Sequence, residues 1–462
     1  MLRIIFCGRI MKREIKERIS NWLNHQTNAL LVDGARQVGK TYIIRECLRE
    51  SGMHVIEINF IESPEMINVF ENAANASDIL IRLSVNYGKD MVPGKTVIFL
   101  DEVQECKEIV TQIKFLVEDG KYRYILSGSL LGIELSNIRS APVGYLDIYD
   151  MYPMDLFEFY TALGISDRIL RLIQESYQER KPMDSYIHRQ LLSAFYLYLI
   201  VGGMPQAVNT YLKTENIDDV QNVQQEILRL YHQDFSKYEH DNKLKLRLRE
   251  VYDAIPSELS EKNKRFRLNL LGTGMNYDRA ENTFLWLKDA GVALPVYNVT
   301  EPVSPLELNT KRNLFKLFLS DVGLLTAQYS AEVRMKILNQ SAGINNGGLF
   351  ENAAAQELFA HHYKVWYFNS KAQGEIDLLI EQGEHVLPIE IKSGKDYKRH
   401  SALSNILSDP NYDIPEAFVF SNANVSRDGK ITYLPVYMIA CLRKTRVKNP
   451  VFRLNLDGLK DE

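Results

Sequence analysis

A glycine-rich turn near the N-terminus constrains the fold of this chain more than any other feature. The stretch GARQVGKT at residues 34–41 follows the apolar run NALLVD and precedes a segment with helical spacing. Glycines let a loop wrap closely around phosphates, and the N–H groups that open the following helix point positive partial charges at them. The pattern G-x-x-x-x-G-K-[ST] between a strand and a helix therefore predicts a phosphate-binding loop, although eight residues can also match by chance.

Two side chains of this loop have separate expected roles. Lys40 should place its ammonium group at the β- and γ-phosphates, and Thr41 should give an oxygen ligand to Mg²⁺. The expected cofactors are therefore ATP and Mg²⁺. The predicted nucleotide-binding residues are Gly34, Ala35, Arg36, Gln37, Val38, Gly39, Lys40, Thr41 and Tyr42.

Acidic residues end the apolar run TVIFLDEVQ at residues 96–104. Asp101 is expected to hold Mg²⁺ through water, and Glu102 to orient and polarise the water that attacks the γ-phosphate. Such a pair favours hydrolysis over nucleotide storage, and the alternative is two solvated carboxylates at a strand end. In the next apolar run, YILSGSL, Ser127 is either a sensor of the γ-phosphate or a serine in a simple turn.

Composition narrows the class of protein. A chain of 462 residues is too long for one core, and two to four domains are expected. The net charge of -4 excludes a global basic field, so any nucleic-acid surface must be local. The cysteines form no CxxC pair and predict reduced thiols in a cytoplasmic protein. They are Cys7, Cys47, Cys106 and Cys441.

Hydrophobic runs in this chain are short. None approaches the roughly 18–20 residues that cross a bilayer, so no membrane partner is expected. The opening MLRIIFCGRI is too brief for a secretory signal. Translation can start at Met1 or at Met11, and the sequence leaves both open.

Strand-like and helix-like segments alternate from residue 29 to residue 150, which indicates a parallel sheet covered by helices. The order of GARQVGKT, FLDEVQ, LSGSLLG and APVGYLDIYDMYPMDLFEFYTALG resembles the AAA+ type ATPases of bacteria and archaea that carry a C-terminal domain of unknown function 4143. The later stretches GGMPQAV (202–208) and LFLSDVGLL (317–325) also match that family. The resemblance implies ATP hydrolysis on a sheet with strand order 5-1-4-3-2, followed by a helical segment.

One position departs from the family pattern. Related sequences often carry a basic residue directly after the glycine that matches Gly144, whereas this chain has Tyr145. The arginine finger that such ATPases use is therefore unassigned. Arg139 is the nearest candidate.

A second set of acids lies near the C-terminus. Glu351 is predicted on a helix, Asp377 on the strand GEIDLLI, and Glu390 and Lys392 on one face of the strand PIEIKSG. The four side chains should converge, with Asp377 and Glu390 as ligands of a second metal ion and Lys392 positioning or deprotonating a water molecule. That chemistry suits phosphodiester hydrolysis. The alternative is a set of structural ion pairs.

This acid–strand–Asp–strand–Glu-x-Lys order resembles the PD-(D/E)xK nuclease superfamily, whose core is αβββαβ. The resemblance implies a restriction-endonuclease-like α/β domain, but a fold does not establish an activity. Three isolated histidines near this region, His361, His362 and His400, are predicted to be surface residues rather than ligands.

The segment between these two regions resembles a winged-helix unit. Its basic stretches KLKLRLRE (243–250) and KNKRFR (262–267) would contact DNA phosphates if a helix entered the major groove. Neighbouring acids dilute the charge, so a solvated helical face or a protein-binding module is the alternative.

The predicted fold class is α/β, with four regions. They are an AAA+ P-loop core (11–160), a helical lid (161–235), a winged-helix-like segment (236–330) and a nuclease-like domain (341–445). Three hypotheses follow: an ATP-dependent nuclease, an ATP-switched regulator that binds DNA or protein, and an ATPase whose C-terminal domain is an oligomer interface. The expected partners are ATP, DNA or RNA, and further copies of the chain.

Overall fold

A parallel sheet of five strands forms the N-terminal part of the computed structural model, which describes residues 11–129, 144–237, 242–268, 277–341, 346–444 and 454. The strands lie in the order β2-β3-β4-β1-β5, and all neighbours are parallel. This confirms the predicted order 5-1-4-3-2. The strands are β1 Ala29–Asp33, β2 His54–Asn59, β3 Thr96–Asp101, β4 Arg123–Ser127 and β5 Leu146–Asp150.

The central strands β1, β3 and β4 of this sheet are buried on both faces. Leu30 and Val32 of β1 enter one hydrophobic core, whereas Leu31 enters another on the opposite face. These three strands are mainly apolar because neither of their faces meets water, whereas the edge strands β2 and β5 are partly exposed. The helices of this region are α1 Ile15–His25, α2 Lys40–Ser51, α3 Ile67–Phe70, α4 Ala76–Tyr87 and α5 Glu108–Asp119.

A mainly helical region follows the sheet, as the sequence predicts. Residues 202–204 of the stretch GGMPQAV separate α8 from α9. The helices are α6 Leu156–Leu163, α7 Asp167–Glu179, α8 Ser185–Val201, α9 Pro205–Thr214, α10 Ile217–Lys237, α11 Asn242–Ser260 and α12 Tyr277–Asp289.

The C-terminal part is a mixed sheet of eight strands in the order β12-β13-β11-β10-β9-β8-β6-β7. From Gly347 to Ser421 the elements are helix, three strands, helix and strand, in the order that the sequence predicts. The strands are β6 Ala293–Val299, β7 Thr310–Leu319, β8 Trp366–Ser370, β9 Gly374–Gln382, β10 His385–Lys392, β11 Ala417–Ser421, β12 Ser426–Asp428 and β13 Ile431–Pro435. The helices are α13 Val322–Thr326, α14 Ala331–Leu338, α15 Gly347–Ala360 and α16 Ser401–Ser408.

The sheet crosses the boundary that the sequence places between residues 330 and 341. Strands β6 and β7 form an antiparallel hairpin, and β6 also pairs in parallel with β8 through Tyr297 and Trp366. The hairpin of the predicted winged-helix segment is therefore part of the C-terminal sheet. Sequence spacing could not reveal this, because the pairing joins strands more than sixty residues apart.

The loop after α8 packs closely against the residue that precedes α13. Gly203 donates its N–H to Asp321 Oδ2 at 2.6 Å, and its carbonyl accepts from the N–H of Met154 at 2.7 Å. A Cβ atom at Gly203 would lie 2.2 Å from the carbonyl oxygen of Met154. The backbone therefore leaves no space for a side chain at this position.

We expect Gly203→Ala to lower the free energy of unfolding by about 2 kcal/mol, because the added methyl group must displace backbone. Denaturant unfolding of the full chain measures this. Gly394→Ala is the matched control, since a Cβ there has no heavy atom within 4 Å. Equal stability of the two variants would contradict the close approach.

Within the described ranges, no single helix combines the length and apolar character of a membrane span. The pair Ser185–Val201 and Pro205–Thr214 passes such a test only jointly, across a bend of 119°.

Candidate functional site

The predicted phosphate loop lies between β1 and α2, and its backbone is unusual. Gly34 and Gly39 have φ angles of 145° and 96°, and Gln37 has 70°. A Cβ atom at Gly34 would lie 2.1 Å from the carbonyl oxygen of Met151. The glycines are therefore required by the turn and by the close approach of the chain after β5.

Helix α2 begins at Lys40, directly behind this loop. The ammonium group of Lys40 donates to the carbonyls of Gly34 and Ala35 at 2.8 and 2.9 Å. Burial lowers the pKa of Lys40 from its ordinary value, while the carboxylates of Asp33 and Glu102 oppose that shift. The lysine thus holds the loop closed on itself and has the charge to exchange these carbonyls for phosphate oxygens.

Asp101 and Thr41 meet at the carboxyl end of β3. The Thr41 hydroxyl lies 3.1 Å from both Asp101 carboxylate oxygens. Asn59 Nδ2 donates to Asp101 Oδ2 at 3.1 Å, which fixes the carboxylate. A hydroxyl and a carboxylate are the hard oxygen donors that Mg²⁺ prefers, so these residues fit the expected metal.

Glu102 follows with a left-handed backbone, at φ 58°. Its side chain lines the same cavity as the loop, and Gln104 Nε2 donates to its Oε2 at 2.5 Å. Left-handed conformations are uncommon outside glycine and often mark functional positions. The turn places Asp101 against Thr41 and Glu102 toward the cavity.

Ser127 lies behind Asp101 and is not part of the cavity lining. It is fully buried, and its hydroxyl donates to Asp101 Oδ1. Ser129, which sequence reasoning missed, lines the cavity, and its buried hydroxyl has no hydrogen-bond partner among the described residues. Ser129 is the second serine of the stretch LSGS, so the sequence offered it as a candidate beside Ser127. Arg139, the candidate finger, lies outside the described residues.

The cavity has a volume of about 760 Å³, and several further parts of the chain line it besides Glu102 and Ser129. The loop and the start of α2 form one wall, and Pro205, Gln206 and Asn209 of α9 form another. Met11 and Arg13 close it near the N-terminus. The cavity-lining residues of α9 and of residues 11–13 belong to no recognisable sequence motif, so the sequence could not predict their position in the site.

A salt bridge links the phosphate loop to helix α10. Arg36 NH1 lies 2.6 Å from Asp234 Oδ1, and the Arg36 carbonyl accepts from the hydroxyl of Tyr231 at 3.1 Å. Burial raises the pKa of Asp234 to about 6, although Arg36 partly opposes this. The loop is therefore anchored to the helical region as well as to the sheet.

Residues 26–160, which contain the loop and both acids, match the family model described as the AAA domain. The chain carries an AAA ATPase domain. Residues 192–334 match a domain of unknown function, DUF8612, and residues 346–439 match the domain of unknown function DUF4143. The second of these confirms the C-terminal domain implied by the family resemblance.

None of the curated proteins matches the chain. Similar solved structures include the Walker-type ATPase PABY2304 of Pyrococcus abyssi, with 15% identity, a TM-score of 0.40, and coverage of 69% of this chain and 95% of that chain. The ORC1 protein of Aeropyrum pernix in complex with DNA has 14% identity, a TM-score of 0.29, and coverage of 70% and 91%. These scores are too low to transfer a function.

The C-terminal acids surround a lysine that the sequence analysis missed. Lys316 on β7 is fully buried, and its ammonium lies 2.7 Å from Glu375, 3.3 Å from Glu351 and 3.9 Å from Asp377. Lys264 approaches from the other side, 2.5 Å from Glu351 Oε1. We call these five residues the lysine–acid cluster. The sequence feature that could have revealed Lys316 is its position as a lone charge inside the apolar run NLFKLFL.

Two of the predicted nuclease residues form a pair at the edge of this cluster. Lys392 donates to Glu390 at 2.6 Å, and Asp377 Oδ2 accepts from the N–H of Ile391 at 2.8 Å. Burial raises the pKa of Asp377 well above its ordinary value, with Glu351 and Glu390 adding to the effect. The structure thus brings the four predicted side chains into one region, together with two further lysines.

Buried lysines lie next to the acids of this region and change their pKa values. Burial would raise the pKa of Glu351, but Lys316 and Lys264 outweigh it and lower that pKa. Among the described residues, no group of three metal-ligating side chains close enough to share an ion includes Asp377 or Glu390. Ammonium groups thus pair with Glu351 and Glu390, whereas the pKa of Asp377 stays raised despite them.

Two of the four basic side chains in the predicted basic stretch 262–267 pair with acids. Arg267 lies 2.6 Å from Glu258 and 3.1 Å from Glu261, and Lys264 turns inward to Glu351. The pairing agrees with the interpretation in which nearby acids dilute the basic charge.

One of the three histidines predicted at the surface is buried, which corrects that expectation. His361 is only 4% exposed; it directly follows the last residue of α15, one turn after the buried Glu357. His362 is exposed, and His400 is half-buried with its Nε2 2.8 Å from the hydroxyl of Tyr433.

Proposed function

We propose that the protein hydrolyses ATP with Mg²⁺ and uses its nucleotide state to control its affinity for a macromolecular partner, without cutting nucleic acid. DNA is the first partner to test. The main evidence against nuclease activity is Lys316, which is fully buried among the carboxyl groups of three acids. These acids are Glu351, Glu375 and Asp377.

The nucleotide site supports the first half of this proposal. Lys40 would exchange the carbonyls of Gly34 and Ala35 for phosphate oxygens, and Glu102 would orient the attacking water from the cavity side. Thr41 and Asp101 would hold Mg²⁺, which neutralises phosphate charge when bound. The cavity volume of about 760 Å³ falls in the range of small-molecule sites.

A chain of contacts supports communication between the loop and the C-terminal part. Arg13 donates to the carbonyl of Val38 at 3.0 Å and lies 3.0 Å from Glu158. Glu158 and Asp155 form the capping box at the start of α6. Asp155 in turn lies 2.9 Å from Arg443. A change in loop shape would thus reach residues on both sides of α6.

The lysine–acid cluster supports the second half. Hard cations are held by uncompensated oxygens, whereas here two ammonium groups face three acids and burial raises the pKa of one of those acids, Asp377. A buried ammonium near three carboxylates occupies the electrostatic role that a metal ion would take. On this proposal the C-terminal sheet is a binding or signalling domain.

A two-part experiment with the full chain tests the proposal. Fluorescence anisotropy with labelled duplex DNA is compared in ATP, in ADP and without nucleotide, with Glu102→Gln used to hold the ATP state. We expect affinities that differ by about tenfold between ATP and ADP, which is about 1.4 kcal/mol of coupling. Equal affinities in all three states would contradict control of DNA binding.

Plasmid cleavage in Mg²⁺ and in Mn²⁺ separates the nuclease alternative. We expect no nicking by the wild type beyond that of Asp377→Ala. Cleavage that disappears in Asp377→Ala would refute the non-nucleolytic proposal and favour an ATP-dependent nuclease.

Arg13→Ala tests the contact path. Loss of the guanidinium removes a charged donor from the carbonyl of Val38 and a wall of the cavity, so we expect ATP affinity to fall about tenfold. The ATP-dependent change in DNA affinity should shrink with it. Calorimetry and anisotropy measure the two effects.

Lys12→Ala is the matched control, because Lys12 is exposed and its contact with Asp167 is 3.9 Å at the surface. We expect it to behave as the wild type does. Unchanged ATP affinity in Arg13→Ala would remove Arg13 from the path.

A further inference from the structure

His361 is held in one orientation at the end of α15. Its Nδ1 lies 2.6 Å from the carbonyl oxygen of Leu442. A carbonyl only accepts, so Nδ1 carries the proton and donates it. The tautomer is thereby set, and the lone pair of a neutral ring lies on Nε2.

Nε2 faces two carboxylates and makes no hydrogen bond with the described residues. It lies 3.5 Å from Asp155 Oδ2 and 3.4 Å from Glu357 Oε1. All three side chains are buried, and their ligand atoms lie within 4.8 Å of one another. The histidine is fully buried at the side chain and is aimed between the two acids.

We propose that Asp155, Glu357 and His361 form a binding site for a divalent transition metal ion of the Zn²⁺ class. Tetrahedral bonds of about 2.0–2.1 Å place ligand atoms about 3.3–3.4 Å apart, close to the two measured separations. An imidazole with two carboxylates is a donor set that Zn²⁺ and its neighbours accept.

The surroundings provide the support that metal-binding histidines usually have. The Nδ1–H bond to Leu442 orients the ring, and the N–H of Leu156 donates to Glu357 at 3.1 Å. Glu357 and His361 are four residues apart on one helix, so they project side by side.

Arg443 is the cation already present at this site. Its NH2 lies 2.9 Å from Asp155 Oδ2, and its NH1 pairs with Glu14. Asp155 and Glu357 carry two negative charges, whereas Arg443 shares its single positive charge between Asp155 and Glu14. Either a proton on His361 or a metal ion supplies the balance, and the two compete for Nε2.

Access to the site comes from a second cavity of about 610 Å³, which is lined in part by Asp155, His361 and Arg443. This space admits the ion and leaves room for a water molecule as a further ligand. A bound ion would connect the start of α6 in the AAA domain region to α15 in the C-terminal part. A bound ion would therefore cross-link these two regions of the chain.

Metal titration of the chelator-treated full chain, without nucleotide, tests the site. Zn²⁺ is followed by calorimetry and Co²⁺ by its visible absorption. We expect wild type and His362→Gln to bind one ion each at this site and to gain thermal stability with Zn²⁺. His361→Gln should bind it at least about 100-fold more weakly, because a direct ligand is lost.

Glu357→Gln is the second variant, since it keeps the shape of the side chain and removes only its charge. We expect it to lose at least about tenfold in affinity while remaining folded by circular dichroism. Parallel titration of Asp101→Asn separates the nucleotide site, and it should match the wild type when nucleotide is absent. Absence of binding to folded wild type, or equal binding by His361→Gln, would leave a protonated histidine as the occupant and overturn the proposal.

Discussion

Glu102→Gln is expected to reduce ATP turnover by about 100- to 10,000-fold while ATP binding stays within a few-fold of the wild type. Glu102 lines the cavity beside the phosphate loop and directly follows Asp101, on a left-handed turn that separates the two carboxylates. Glutamine keeps the size of the side chain but cannot accept a proton from water. Phosphate release and calorimetric ATP titration measure the two quantities.

Glu108→Gln is the matched control for this variant. Glu108 is exposed in the first turn of α5, six residues along the chain, so turnover should be unchanged. Lys40→Ala should behave differently from both and lose binding as well as turnover. Loss of ATP binding in Glu102→Gln would contradict the role given to Glu102, and full turnover would remove it from the reaction.

Lys316→Met is expected to lower the free energy of unfolding by about 3–5 kcal/mol, the usual cost of leaving buried charges without their partner. Methionine matches the length of lysine but leaves Glu351, Glu375 and Asp377 with Lys264 and the more distant Lys392, which already pairs with Glu390. Denaturant unfolding measures the loss. Adding Glu351→Gln to Lys316→Met should recover part of it, since one uncompensated charge is removed.

Lys311→Met serves as the control because Lys311 lies on the same strand but is exposed. Its effect should stay within about 0.5 kcal/mol. If Lys316→Met were as stable as this control, the lysine–acid cluster would not hold charged partners in the folded chain. The electrostatic argument against a second metal site would then fail.

The first sheet and its site were predictable because their signals are local. Buried parallel strands are apolar runs, and the loop from Gly34 to Thr41 combines a fixed spacing with a strand before it and a helix after it. The order of the five strands came from family resemblance rather than from periodicity. Asp101 and Thr41 then meet because parallel strands end at one edge of the sheet.

Long-range contacts account for what the sequence did not predict. Lys316, Glu375 and Lys264 come from three separated segments, and no spacing rule relates them. His361 looked like an isolated histidine because its partners, Asp155 and Leu442, lie 206 and 81 residues away in the chain. The role given to Ser127 depended on which of two neighbouring serines faces the cavity, a distinction that strand alternation alone did not settle.

The shared C-terminal sheet limits how this chain can be divided. Cutting the chain before residue 341 would remove β6, one of the two neighbours of β8. The backbone N–H and C=O groups on that side of β8 would then form an open edge, the kind of surface on which chains aggregate. The same cut would take away the ammonium of Lys316 and strand its acids in the interior. Any recombination that transplants the C-terminal part onto another ATPase must therefore carry the hairpin Ala293–Leu319 with it, so the inherited unit is longer than the matched DUF4143 segment.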